Sequence, residues 1–416
     1  MLADFKKLLF SGTGKDTYIV FLGTVINVLI GGVFFIIAPR VLGPAGYGLF
    51  STIFATSTLV VRLSSLGIDT GILRFTSLTS KESNSFLSIA IKWYLLLGAL
   101  AAIAGYIISP MITASLGQPS ITGLLRIAFA STVLFHLTNL FTAGLQARRE
   151  FLKSSLILLA NNSTRLIIIL VWSYLFVINL YSLTLIFFLS TLVSAFLGKL
   201  LLPFQTVAID KSLERKFFKF NVWIWLSMCI SAIPFDNYFL LKMAGPLQTG
   251  LYAAPFKLLG FAYQLGGNFT SVLATRYSSF DKVEKAKAFS TKAIALPLFF
   301  SLGFLFIILF PNLLITLLFG KAYVEAAQVL RVLSLGSIFF FLSTIPSSII
   351  LYYFSKSNIS FVITLVRYIA FAVLLILLIP SQKSIGAAYA FTATEGLAFI
   401  MMVFYVLLKF KKKHAN

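Results

Sequence analysis

Gly43-Pro44-Ala45-Gly46-Tyr47-Gly48-Leu49-Phe50 returns 202 residues later as Gly245-Pro246-Leu247-Gln248-Thr249-Gly250-Leu251-Tyr252. At the same offset Arg74-Phe75 returns as Arg276-Tyr277, and after 205 residues Leu125-Arg126-Ile127 returns as Leu330-Arg331-Val332. A single Gly-Pro match carries little weight. Three features in the same order, at nearly constant offset, indicate an internal duplication. Each Gly-Pro also has a local meaning: Pro cannot continue a preceding helix and Gly permits a tight turn.

The segments around these corners are apolar. The chain has 416 residues, of which 59% are hydrophobic and 11% charged, and its mean hydropathy is +0.97. An ordinary soluble domain carries about 25% charged residues, so the sequence reads as an all-α, multi-pass membrane protein. A span needs about 20 apolar residues. About twelve such stretches follow: 16–39, 45–68, 88–109, 121–143, 154–177 and 181–203, then 219–242, 249–274, 291–314, 327–352, 358–380 and 385–408. Six spans per half give both halves the same orientation, which makes a parallel repeat about an axis normal to the membrane. The domains expected are 1–203, a cytoplasmic linker 204–218, and 219–416.

The formal net charge of +22 suggests nucleic acid at first sight. The basic residues instead cluster in short segments between apolar runs, as cytoplasmic loops do, and no soluble stretch is long enough for a nucleic-acid domain. With the N-terminus inside, 24 of the 34 Lys and Arg fall in cytoplasmic segments and four in outer loops, namely Arg40, Lys242, Lys321 and Lys383. Both termini are therefore expected in the cytoplasm. Residues 1–10 are expected to form a short interfacial helix rather than a cleavable signal, and Asp210–Phe220 a basic amphipathic connection on the inner leaflet.

One Cys, Cys229, and two His, His136 and His414, argue against disulfides, metal sites and His-centred catalysis. Gly12-Thr13-Gly14-Lys15-Asp16 approaches a phosphate loop but lacks its first Gly and its Ser or Thr after the Lys. No nucleophile triad or carboxylate pair is present, so neither catalysis nor a cofactor is expected.

What remains is a set of intramembrane charges, which are costly and seldom kept without a use. Arg165 and Arg367 fall about ten residues into spans five and eleven, near mid-depth at about 1.5 Å per residue. Arg126 and Arg331 lie nearer the outer face, Lys257 lies in the outer half, and Arg62 lies toward the inner face. Together they are candidates for a cationic, anion-binding cavity, since the guanidinium fork matches phosphate. Arg74 and Arg276, at inner span ends, suit the cytoplasmic entrance. The competing reading for each is snorkelling or pairing with Asp69, Asp236 or Glu395. Glu395 is either the partner of Arg367 or, like Asp69 and Asp236, a site of proton or sodium coupling. Asn27, Asn139 and Gln264 are candidate sugar contacts.

Residues 40–50, from Arg40 to Phe50, resemble the first outer corner of Wzx-type polysaccharide-biosynthesis flippases. Gly67-Ile68-Asp69-Thr70-Gly71-Ile72-Leu73-Arg74-Phe75 resembles their following inner segment, and Phe319-Gly320-Lys321-Ala322-Tyr323-Val324-Glu325-Ala326-Ala327-Gln328-Val329-Leu330 their stretch before span ten. The resemblance, extending over nearly the whole chain in span order, implies the MOP superfamily, with two six-helix lobes in a V shape. It further implies transport of an undecaprenyl-diphosphate-linked oligosaccharide across the bacterial inner membrane, for O-antigen, capsule or exopolysaccharide. Membrane lipids, a polysaccharide polymerase and a chain-length regulator are the partners expected, and nucleic acid is not. The competing functions are a MATE-like cation-coupled exporter and a non-transport scaffold for glycan-synthesis enzymes.

Overall fold

A computed structural model describes residues 12–78, 83–277, 280 and 282–414; the expected interfacial helix at 1–10 lies outside them. Among the described residues the fold is helical throughout, without a strand. The α-helices are α1 Gly12–Ser64, α2 Ile68–Leu78, α3 Ser83–Ser115, α4 Thr122–Ala130, α5 Thr132–Ala147, α6 Phe151–Leu175 and α7 Leu180–Leu201. There follow α8 Lys211–Ala232, α9 Phe235–Tyr277, α10 Val283–Ala293, α11 Ala295–Leu309, α12 Pro311–Phe319, α13 Ala326–Ser348 and α14 Ser357–His414. Eight helical stretches among the described residues are long and apolar enough to cross a membrane. Their outer faces carry large apolar side chains such as Ile103, Phe196, Phe299, Leu309 and Ile400, as lipid contact requires.

Three expected span boundaries are breaks within long helical stretches, and one expected span is divided. Spans 16–39 and 45–68 are the two arms of α1, which leaves helical geometry at Gly43 (φ 66°). Its repeat mate Gly245 (φ 82°) breaks α9 in the same way. The last two spans are the arms of α14, which breaks at Lys383 (φ 53°). Span 219–242 is divided instead. Pro234 supplies no N–H and holds Ile233 extended (φ −70°, ψ 116°), so α8 ends and α9 begins.

The chain forms two compact units. The first runs up to Val41 and resumes with Thr52–Pro234; the second comprises Leu42–Ser51 and the chain from Phe235 onward. Helix α8 thus belongs by its contacts to the first unit, although its apolar part starts the second repeat. Its Phe217 and Asn221 are fully buried, and Trp225 Nε1 donates to the Leu63 carbonyl at 2.7 Å. Phe217 joins a core made by Ile72, Phe75, Phe86, Tyr94, Leu140, Phe141 and Leu202.

The second unit has its own core of Leu273, Tyr277, Val283, Ile345, Ile350, Ile363, Val406 and Phe410. It also contains both repeated corners. A Cβ on Gly48 would stand 2.0 Å from the Pro246 carbonyl oxygen, and one on Gly250 would stand 1.8 Å from that of Pro44. The two corners therefore touch backbone to backbone, and only Gly permits that approach.

Candidate functional site

The first unit contains a partly open cavity of about 310 Å³. Phe54, Ser57, Thr58, Val61 and Arg62 of α1 line it with Ser65, Asp69, Phe135 and Asn139 of α5, and Met228 of α8. The spacing explains the wall. Positions 54, 57, 58, 61, 62 and 65 recur every three or four residues, which is one helical face, and 135 and 139 do the same on α5. The lining combines one cation, one carboxylate, three hydroxyls, an amide and two phenyl rings.

A polar cluster adjoins this wall. His136, fully buried, shares its Nε2 with Ser64 Oγ at 2.9 Å and stacks on Tyr94 with ring centroids 4.5 Å apart. His136 Nδ1, Tyr94 Oη, Thr132 Oγ1 and Asp69 Oδ1 are buried atoms without a hydrogen-bond partner among the described residues. Asp69, Arg62 and Asn139 stand out in the sequence, whereas Ser57, Thr58, Ser65 and the Tyr94–His136 stack do not. Hydroxyls at helical spacing in an apolar span were the available signal.

Arg165 lies elsewhere in the same unit and is buried, with 5% of its surface exposed. Its Nη2 donates to Asn161 Oδ1 at 2.6 Å, its Nη1 to Asn162 Oδ1 at 3.2 Å and its Nε to Ser190 Oγ at 3.4 Å. Its Cζ sits 3.9 Å from the Phe187 ring centroid and 5.2 Å from that of Phe34. Asn161 is held in turn by Ser194 at 3.0 Å and Asn162 by Asn27 at 2.7 Å. The guanidinium is met by amides, hydroxyls and ring faces, with no carboxylate in its shell among the described residues.

Arg367, its repeat mate in the second unit, is ion-paired through Nη1 with Glu395 Oε1. Glu395 is buried and Arg367 keeps a quarter of its side chain exposed. Asp236, also buried, accepts the backbone N–H of Asn237 at 2.9 Å. Lys257 is half-buried on α9 and Gln264 is exposed. Arg126 and Arg331 each donate Nε–H to a backbone carbonyl, of Tyr106 and Ile308 respectively. Arg74 lies over the Phe220 ring at 4.4 Å, and Arg276 is exposed near the end of α9. Of the singled-out charges, then, Arg62 and Asp69 share the first unit's cavity, Arg367 and Glu395 share an ion pair, and Arg165 stacks on Phe187, whose ring meets that of the cavity-lining Phe54 at 5.1 Å.

The start of α8 carries a separate electrostatic feature. Trp93 Nε1 donates to Glu214 Oε1 at 2.5 Å and Lys92 Nζ reaches it at 3.3 Å. These contacts, the Trp93 bond first, hold the Glu214 carboxyl below its ordinary range. Asp210 caps the helix by accepting from Ser212 N at 2.7 Å, which lowers its carboxyl as well.

Similar structures cover nearly the whole chain. An inward-facing multidrug resistance MATE family transporter of the MOP superfamily aligns with TM-score 0.76 and 16% identity, over 94% of this chain and 96% of its own. The lipid II flippase MurJ, in an inward closed conformation, aligns with TM-score 0.74 and 15% identity, over 94% and 87%. A MOP superfamily transporter from Pyrococcus furiosus, described as having a binding pocket of reverse polarity, gives 0.68 and 16%, over 95% and 94%. At these identities the likeness establishes the fold. A search of curated proteins gave no match. The family model for "Polysaccharide biosynthesis protein" matches residues 13–274. With that match spanning more than half of a chain that has the MOP fold, the protein is a member of the polysaccharide biosynthesis protein family.

Proposed function

We propose that this protein moves an undecaprenyl-diphosphate-linked oligosaccharide repeat unit from the cytoplasmic to the outer side of the bacterial inner membrane, for surface polysaccharide synthesis. The observation that carries this reading is the lining of the first unit's cavity. Ser57, Thr58, Ser65, Asn139 and Asp69 offer the hydrogen bonds that sugar hydroxyls need, Phe54 and Phe135 offer apolar faces for sugar C–H groups, and Arg62 offers a fork for phosphate. A small organic cation, as an exporter would carry, has no use for Arg62 there.

In this reading the two halves alternate in access, and the polyprenyl tail stays in lipid. With the inside negative, each negative charge carried outward gains about 2.3 kcal/mol per 100 mV, so the potential drives outward transfer of a diphosphate without a coupling ion. Arg165 acts as a fixed positive charge in the first unit, while the charge of Arg367 is neutralised by Glu395. Both termini face the cytoplasm, and a polysaccharide polymerase with its chain-length regulator receives the product.

The test is reconstitution in liposomes with a fluorescent lipid-linked oligosaccharide, scored by its exposure to an impermeant quencher. Arg62→Ala combined with Asn139→Ala should slow flipping by at least about tenfold, since each lost charged or polar contact is worth about 1–3 kcal/mol. Flipping at the wild-type rate rejects the cavity as the site. Export of a cationic dye with no lipid flipping favours the exporter.

A further inference from the structure

Arg126 and Arg331 do the same thing in the two repeats: each donates to a backbone carbonyl that lacks its helical donor. Pro110 sits inside α3. It has no N–H, so the Tyr106 carbonyl four residues earlier loses its helical donor. Arg126, from α4, donates its Nε–H to that carbonyl at 3.2 Å. In the second repeat α11 stops at Leu309 and Pro311 opens α12. The Ile308 carbonyl lies in the final turn of α11, where carbonyls lack helical donors, and Arg331 donates its Nε–H to it at 3.3 Å.

Each arginine is thereby held by one edge, and its Nη edge remains. The Nη groups of Arg126 make no hydrogen bond among the described residues, while its Cζ rests 4.0 Å from the centroid of the exposed Tyr106 ring. For Arg331 the only Nη bond among them is a long one, from Nη1 to Gln328 Oε1 at 3.4 Å. The neighbouring residues Ile107, Met111, Leu309 and Phe310 are exposed and apolar, as on a lipid-facing rim. Arg126 lies four residues into α4 and Arg331 five into α13, so both stand roughly 6–8 Å from the outer helix ends at 1.5 Å per residue. In the orientation given by the Lys and Arg bias, that is headgroup depth on the outer side.

We propose that Arg126 and Arg331 form a pair of phospholipid-binding sites, one per repeat, each taking the phosphodiester of an outer-leaflet lipid on its Nη edge. The two Nη groups match two phosphate oxygens. Fixing the guanidinium through Nε lowers the ordering cost of binding. The apolar rim receives the acyl chains, which a free phosphate lacks. The proposal rests on the membrane orientation and is independent of the transported substrate.

The test is native mass spectrometry of the full chain released from phosphatidylglycerol-containing micelles. The wild type should retain two phosphatidylglycerol molecules per chain, and its thermal midpoint should rise with that lipid but not with inorganic phosphate at equal concentration. Arg126→Gln with Arg331→Gln should lose both lipids at unchanged helix content by circular dichroism. Should that variant fail to fold, Pro110→Ala serves: a restored backbone N–H competes for the Tyr106 carbonyl, frees Arg126 and costs one retained lipid. Two lipids still retained in either variant overturns the proposal. A midpoint shift of equal size with inorganic phosphate overturns the lipid assignment.

Discussion

Arg165 and Arg367 occupy the same place in the two repeats and are kept by different chemistry. In the first unit the guanidinium is wrapped by Asn161, Asn162, Ser190 and two phenyl rings. In the second it is neutralised by Glu395. Duplication conserved the charge and let its surroundings diverge. A shell of neutral dipoles leaves the first unit with an uncompensated positive field, which low-dielectric surroundings carry far. The ion pair confines its field to a few ångströms. The first unit is therefore the half better suited to attract an anion, and it contains the polar cavity described above.

The sharpest way to break this contrast is at the ion pair. Removing Arg367 leaves the buried Glu395 alone, so Arg367→Ala should lower stability by about 3–5 kcal/mol, measured as thermal unfolding in detergent. Arg367→Met with Glu395→Leu should recover most of it; a double variant as unstable as the single one would show that the pair is not the cause. Arg165→Ala should cost on the order of 2–4 kcal/mol, because it opens a cavity and leaves the amide acceptors unmet. In the first unit no carboxylate substitution should rescue it. Flipping that survives Arg165→Ala and Arg367→Ala together would assign both residues to the scaffold and remove them from the transport path.

Where the repeats agree, paired substitutions should agree as well. Gly48→Ala and Gly250→Ala each force a methyl into a facing carbonyl, and both should destabilise by about 1–3 kcal/mol. A cost at one position only would show that the corners are not equivalent. The smallest effect belongs to Glu214, whose carboxyl is depressed by Trp93 and Lys92. A depressed carboxyl contributes stability above its ordinary value near pH 4.3 and loses that contribution as pH falls toward its folded value. Acidification through that window should shift Trp93 fluorescence and cost on the order of 1 kcal/mol. Glu214→Gln should abolish that pH dependence.

The bends and the charges were legible because their signals are local. Gly43-Pro44 and Gly245-Pro246 announce a turn within two residues, and an arginine inside an apolar run stands out alone. The surroundings of Arg165 were not, since Ser190, which it meets, and Ser194, which holds its partner Asn161, come from α7 through a helix–helix register that one sequence does not display. Glu395 was readable as a partner because no other acid lies at that depth. The cavity was half legible: Arg62, Asp69 and Asn139 were singled out, while the hydroxyls that complete the wall look like ordinary small residues in a span. The break at Ile233–Pro234 carried a proline signal, but only packing by Phe217 and Asn221 reveals which unit owns α8.

That ownership has a consequence for how the chain is made. Leu42–Ser51 belongs to the second unit, which otherwise begins at Phe235. A nascent chain thus inserts its first corner and must wait for its partner until the ribosome has added more than 180 further residues, roughly 10–40 s at 5–20 residues per second. The first unit in turn cannot close its core until α8 has followed six earlier spans into the bilayer. The first corner is thus held unfinished during synthesis, which gives insertion factors and chaperones a defined interval in which the exposed glycine corner needs shelter.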